Sequence, residues 1–284
     1  MRLGVSPYGT TRAGALRVAD VAVAGGIDSL WLGDGLLDVA DFPRWSGGLE
    51  AFTELGWLAG RHPHVRAGVG AAVIPLRDPL WTVRQAATLA HLAGGGVVLG
   101  LCPGFWEREF VFRGLDFATR GRRFDEFVDA VLALLDGRPH AGEALTVPEE
   151  GRLSPIAPPG AVQVWLAGGR ATFERALARQ LPFQASRMSP AQLAELAREW
   201  FDRGGNDLTV RVRVTVEPHP AATPGDTVEW SSVTGTAAEV ADAIHGYAEL
   251  GVADLSIVPG QDDETSLATV TALVEHVLPS LDMG

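Results

Sequence analysis

The chain predicts a (β/α)8 barrel, and three observations carry that prediction. Strand-like and helix-like segments alternate from end to end, eight of each. The length, 284 residues, suits one barrel of this kind. Apolar residues make up 46% of the chain, enough for a large core. Alternation alone also fits an open, doubly wound sheet; the count of eight and the length favour closure. No linker separates a second domain, so a single domain spanning residues 1–284 is expected.

The elements follow in order. The first strand is Arg2–Ser6, with the helix Ala13–Ala24 behind it. The apolar run Ser29–Gly33 is the second strand; after the excursion Gly35–Gly48 comes the helix Leu49–Ala59. The third strand, Val65–Ile74, leads into the helix Pro79–His91. The turn Gly94-Gly95-Gly96 introduces the fourth strand, Val97–Leu101, which ends in Cys102-Pro103-Gly104-Phe105-Trp106. The helix Arg122–Leu135 follows, then the longest excursion, Gly137–Gly160, which contains five prolines. Val162–Ala167 and Phe183–Ser186 are the fifth and sixth strands, with the helices Phe173–Gln180 and Pro190–Arg203. Ser189 before Pro190 puts proline at the first helical position. Thr209–Glu217 is the seventh strand, and the loop Pro218–Val233 follows it. Thr236 with Glu239 three residues on forms a capping-box pattern before the helix Ala237–Leu250. The strand Asp254–Val258 and the helix Ser266–Leu278 complete the set.

Composition excludes several classes. A formal charge of −12 disfavours nonspecific binding to nucleic acid or anionic lipid. No apolar run reaches the 18 or more residues needed to cross a bilayer, and the N-terminus lacks a signal-peptide pattern. The single cysteine, Cys102, excludes an intrachain disulfide and suits a reducing cytosol, so a cytoplasmic location is expected. All 23 basic residues are arginine. Without lysine there is no Schiff base, which excludes class I aldolase and pyridoxal phosphate chemistry.

In such a barrel the active site lies at the C-terminal ends of the strands. The strongest anion-site signal is Ala167-Gly168-Gly169-Arg170-Ala171-Thr172, which runs from a strand into a helix. Backbone N–H groups at a helix start favour phosphate, glycine allows close approach, and Arg170 and Thr172 can add contacts. The bland alternative is a tight turn with an exposed arginine. The generic barrel rule points instead to the loops after the seventh and eighth strands. Asp34 stands at the end of the second strand, as a site residue or as a turn aspartate. Glu107 and Glu109 follow the fourth strand and, two apart on a helix, face different sides. Glu107 is the candidate acid or base of the pair. His219, just past the seventh strand, is the histidine best placed for catalysis. His62 and His64 precede the third strand, at the opposite end, with no companion ligands, so no metal site is expected. Trp45 and Trp230 lie in excursions that could cover a flat ligand.

Residues 66–129, from RAGVGAAVIPLRDP through GLCPGFWEREF to RGRRFDEFVD, closely resemble the central segment of luciferase-like flavin and deazaflavin oxidoreductases, which are barrel enzymes. The likeness extends from Leu3 to about Pro279. It implies a cofactor phosphate near Gly168–Thr172, and a non-prolyl cis peptide within Gly70–Val73 supporting the cofactor ring, which makes Gly70 and Ala71 cofactor contacts. Trp31-Leu32-Gly33-Asp34-Gly35 resembles the family's second strand, where an acidic residue is followed by a histidine used in proton transfer or binding. Here that position is Gly35, so the proton donor is unassigned. Cys102 matches a luciferase cysteine, but the phosphate-binding arginine after it is Pro103 here. Pro103-Gly104-Phe105-Trp106 is closer to the deazaflavin branch and adds Gly104 to the cofactor contacts.

The resemblance implies an enzyme that transfers hydride between coenzyme F420 and a small organic substrate, with Arg77 and Arg170 expected to hold the anionic tail. An FMN-dependent monooxygenase reacting with oxygen is the alternative. A cofactor-binding barrel with little catalysis also stays open. A phosphate-handling lyase or isomerase is disfavoured by the missing lysine and sparse histidines. The expected partners are a small-molecule substrate and, as a possible assembly, a second copy of the chain.

Overall fold

The computed structural model describes residues 1–7, 11–37, 49–149, 153–217, 232–260 and 262–281. In chain order the elements are β1 (Arg2–Val5), α1 (Arg12–Ala24), β2 (Ser29–Leu32), α2 (Ala51–Arg61), β3 (Arg66–Val73), α3 (Pro79–Leu92), β4 (Val97–Cys102), α4 (Glu107–Phe112) and α5 (Arg120–Leu135). A short hairpin, β5 (His140–Ala141) and β6 (Thr146–Val147), precedes β7 (Val162–Ala167) and α6 (Arg170–Arg179). Then come β8 (Phe183–Ser186), α7 (Pro190–Asp202), β9 (Leu208–Val216), β10 (Ser232–Gly235), α8 (Ala237–Glu249), β11 (Val252–Val258) and α9 (Asp263–Ala272).

The main sheet runs β10-β9-β11-β1-β2-β3-β4-β7-β8, and β8 also pairs with β9. Taken without β10, that order returns on itself and makes the closed, parallel (β/α)8 barrel. Tyr8, Trp45, His219, Trp230 and most of the two excursions after β2 and β9 lie outside the described residues. Among the described residues no helix is long and apolar enough to cross a membrane.

The chain divides into two compact units, Met1–Leu32 with Ala176–Gly284, and Gly33–Arg175. In the first, β1 pairs in register with β11, Leu3 opposite Leu255 and Val5 opposite Ile257. Every residue of β9 is buried, with apolar Leu208, Val210, Val212, Val214 and Val216 alternating with Thr209, Arg211, Arg213 and Thr215. That two-residue period puts a polar row on one face of the strand. Trp200 of α7 is fully buried and donates its indole N–H to Asn206 O at 2.7 Å. Both capping motifs are made: Ser189 with Gln192, and Thr236 with Glu239. β10, which falls where the sequence reads as the end of a loop, pairs among the described residues with β9 alone.

In the second unit, β3, β4 and β7 lie side by side. Ala67 pairs with Val97, and Val97 with Val162. The register of β3 on β4 shifts between Val69 and Ala72, and the Gly70–Ala71 peptide is cis. That bond lies within the Gly70–Val73 segment where the sequence places one. Beyond the strand ends, Val73, Leu76 and Phe110 form a buried cluster, against which Cys102, Leu115 and Phe117 pack. Phe110 and Phe117 meet edge to face at 5.2 Å. This cluster seats the short helix α4 over the ends of β3 and β4.

Candidate functional site at the ends of β3, β4 and β7

Asp34 follows β2 by two residues, and its carboxylate is fully engaged. It accepts the Val73 N–H at 3.0 Å and two donors from Arg77, Nε at 2.8 Å and Nη2 at 2.5 Å. The two side chains are only 7% and 16% exposed. Arg77 also reaches Glu50 at 2.8 Å and lies 5.0 Å from the centre of the Phe52 ring. Burial alone would weaken the guanidinium's charge, but Asp34 and Glu50 outweigh it and hold Arg77 charged. Glu50 is the N-cap of α2, accepting Thr53 N–H at 2.9 Å. Burial pushes its pKa up, yet the bonds from Thr53 and Arg77 leave it below the ordinary value. Arg77, expected to hold an anionic tail, is thus a brace between the segment after β2, the end of β3 and the start of α2.

Cys102 lies opposite Val73 at the end of β4, its thiol 3.8 Å from Ala71 O, one residue past the cis bond. Burial pushes its pKa up to about 12, and the carboxylates of Asp34 and Glu109 add to the rise against a backbone bond at Gly104. At neutral pH it is a thiol. Gly104 has φ +78°, and a Cβ there would stand 2.7 Å from Val73 Cγ1 and 3.0 Å from the Phe110 ring. The turn after β4 therefore needs glycine both for its backbone and for its packing.

The two glutamates of α4 part company. Glu107 is exposed, whereas Glu109 is 6% exposed. Glu109 accepts the Leu36 N–H at 2.6 Å and bonds the Leu37 backbone as well. Burial raises its pKa, the two backbone bonds oppose that, and the charge on Asp34 adds to it.

β4 and β7 end level with each other, Leu101 opposite Leu166. The chain then turns through Gly168, φ +155°, where a Cβ would stand 2.7 Å from Thr172 Oγ1. Thr172 is buried at 2% exposed. Nothing lies within 4 Å of a Cβ built on Gly169 among the described residues, so its backbone is open to approach. Arg170 opens α6; its guanidinium pairs with Glu174 at 2.7 Å and stacks 4.6 Å from the Phe173 ring centre, with the side chain 59% exposed.

Asp34, Gly70, Ala71, Cys102 and Gly104 are brought together around the ends of β3 and β4, and Gly168, Gly169, Arg170 and Thr172 follow β7. Glu107 is exposed, and His219 lies outside the described residues. Sequence reasoning gave no special weight to Glu109 over Glu107 and missed the Asp34–Arg77–Glu50 brace. The Asp-Pro start of α3 placed Arg77 at a strand end, but nothing in its local sequence names a partner 43 residues away.

A family model described as luciferase-like monooxygenase matches residues 2–221. Three solved structures share the fold. Monooxygenase RslO1 from Streptomyces bottropensis is 18% identical with a TM-score of 0.81, covering 98% of this chain and 99% of that one. An F420-dependent secondary alcohol dehydrogenase, in complex with an F420-acetone adduct, is 15% identical with a TM-score of 0.79 over 99% of each chain. The oxygenating constituent of 3,6-diketocamphane monooxygenase from Pseudomonas putida, in complex with FMN, is 14% identical with a TM-score of 0.76, covering 99% and 98%.

Proposed function

The chain belongs to the luciferase-like monooxygenase family, a family of oxidoreductases, and we propose that it transfers hydride between coenzyme F420 and a small organic substrate. The observation that carries this reading is the pair of glycine turns at adjacent strand ends. Gly104 lets the turn after β4 pack closely on Val73 and Phe110, and among the described residues the backbone of Gly169 after β7 is left open, next to strand ends that carry Ala71, Val73 and Cys102. A flat ring fits against such a surface, and its phosphate fits the start of α6, where Gly169, Arg170 and Thr172 gather. When bound, the cofactor supplies a ring carbon that gives or takes hydride. Asp34 then acts at a distance, by holding Val73 and hence the end of β3 in place. His219, which follows β9 in the sequence, stays in the proposal as a catalytic candidate.

F420 is preferred over FMN because Pro103 stands where a luciferase-type phosphate clamp has arginine, and because Pro103-Gly104-Phe105-Trp106 resembles the deazaflavin branch. Cys102, a luciferase-like feature, favours the second reading, an FMN-dependent monooxygenase. We also propose a homodimer as the assembly. Calorimetric titration of the protein with F420 and with FMN, in parallel, tests the preference. Tighter binding of F420 is expected; tighter binding of FMN, or a flavin spectrum in the protein as purified, would reverse it. Arg170→Ala should weaken whichever cofactor binds by roughly 10- to 100-fold, the worth of a charge-assisted phosphate contact.

A further inference from the structure

We propose that Glu109 is the side chain that exchanges a proton with the substrate at this site, and that it is reached across the bare backbone of Gly35. The inference rests on the oxidoreductase reading above and assigns its missing proton donor.

Two geometric facts carry it. The first is how Glu109 is held. It is buried at the end of the β4 turn, and its partners are the backbone of Leu36 and Leu37. Among the described residues no guanidinium pairs with it; Arg77, which holds the neighbouring Asp34, is spent on Asp34 and Glu50. A buried carboxylate without a cation keeps its proton more readily than a paired one. The second is what lies in front of it. A Cβ built on Gly35 would meet one atom within 4 Å among the described residues, Glu109 Oε1 at 3.5 Å. Gly35 and Leu36 are exposed. Among the described residues the oxygen therefore borders open space at a position that carries no side chain.

The titratable groups around it are Asp34, from the segment after β2, and Cys102, from β4. Asp34 is tied to Arg77, and Cys102 remains a thiol, so neither competes for the role. Burial raises the Glu109 pKa, which moves it toward the pH at which a carboxylic acid can serve as a donor.

For a carbonyl substrate the step balances as follows. Glu109 gives its proton to the carbonyl oxygen while hydride from a reduced deazaflavin or flavin adds to the carbonyl carbon. The C=O π bond breaks, one C–H and one O–H bond form, and the cofactor loses two electrons. Glu109 then takes a proton from water, matching the one released by the oxidised ring. Oxidation of an alcohol runs the same transfers backward, with Glu109 as base.

The test has one part without cofactor and one with it. Carboxyl-13C glutamate labelling of the cofactor-free protein should show a signal that titrates above the ordinary glutamate range and is missing from Glu109→Gln. Cofactor-loaded protein is then followed through a single turnover with the smallest carbonyl it reduces, starting from acetone. Glu109→Gln should bind the cofactor within about threefold of wild type yet turn over about 100-fold more slowly or worse, the usual worth of a general acid. Its pH profile should lose the decline that wild type shows as pH rises through the Glu109 titration. Glu109→Asp should restore part of the rate. Gly35→Leu, at a position outside the left-handed region, should slow turnover while leaving the Glu109 signal titrating. Wild-type speed in Glu109→Gln with cofactor bound would overturn the assignment, as would a Glu109 signal that titrates with the exposed glutamates. If wild-type protein binds neither cofactor, it is the oxidoreductase reading that fails, and this assignment falls with it.

Discussion

Replacing Asp34 by asparagine should cost this protein about 3 kcal/mol of stability. The substitution keeps the shape and one acceptor for the Val73 N–H, but it removes the negative charge facing Arg77 across 2.5 and 2.8 Å. Breaking a buried ion pair from one side costs about 3–5 kcal/mol, because the surviving charge is left without its partner. Arg77 is 16% exposed and keeps Glu50 and the Phe52 ring, so the lower end of that range applies. For a chain of this size, that corresponds to a fall of roughly 6 °C in the thermal midpoint. Differential scanning calorimetry on Asp34→Asn, Arg77→Met and the double variant supplies the check. The double variant should be less destabilised than the sum of the singles by about 2 kcal/mol, since removing both charges leaves neither stranded. Glu50 is 44% exposed, so Glu50→Gln should cost under about 1 kcal/mol. A drop below about 1 °C for Asp34→Asn, or additive singles, would refute the view that this pair braces the site.

Three further outcomes are expected. Cys102, with its pKa pushed up to about 12, should react with iodoacetamide at pH 8 about a thousandfold more slowly than a free thiol; an ordinary rate would mean that the thiol is not buried as described. Gly104→Ala should destabilise by more than about 1 kcal/mol, from a positive φ and a collision with Val73 and Phe110 together, measured as a shift in the urea midpoint. The raised pKa of Glu109 means that the folded state binds its proton more tightly than the unfolded chain does. Its contribution to stability is therefore present at low pH and lost as pH rises from the ordinary glutamate value of 4.5 through the folded one. Glu109→Gln should flatten the stability-versus-pH curve in that window, and an unchanged curve would contradict the shift.

Much of the barrel was legible because its signals are local. Apolar runs placed Val162–Ala167 and Phe183–Ser186 at the bounds the structure has, and the capping box of Thr236 with Glu239 is spelled out within four residues. Elements with no such signal were missed. α4 has six residues, no side-chain cap, and exposed Val111 and Phe112, so its pattern carries no period. β5, β6 and β10 are short strands of two to four residues defined by their pairing. Helices begin earlier than read where the first turn is polar: α5 starts at Arg120 and α6 at Arg170 rather than at Arg122 and Phe173. The site divides along the same line. Gly104 and Gly168 declare themselves by residue type. Whether Glu107 or Glu109 turns inward depends on the phase of α4, which only the tertiary fold sets, and the match of Asp34 to Arg77 is a long-range one.

The pairing of β1 with β11 has a consequence for the order of assembly. Leu3 meets Leu255, and Thr11 donates its N–H to Asp263 Oδ1 at 3.1 Å, 252 residues along the chain. On a ribosome, β1 emerges about 250 residues ahead of β11 and waits for it before that edge is covered. The unit Gly33–Arg175 has no such wait, since all of it is continuous in sequence. Folding during synthesis should therefore complete the strand ends of β3, β4 and β7 well before the N-terminal strand finds its neighbour. Until then β1 offers an unpaired edge, which makes the segment that carries β11, rather than the residues of the site, the one whose loss would expose the protein to aggregation.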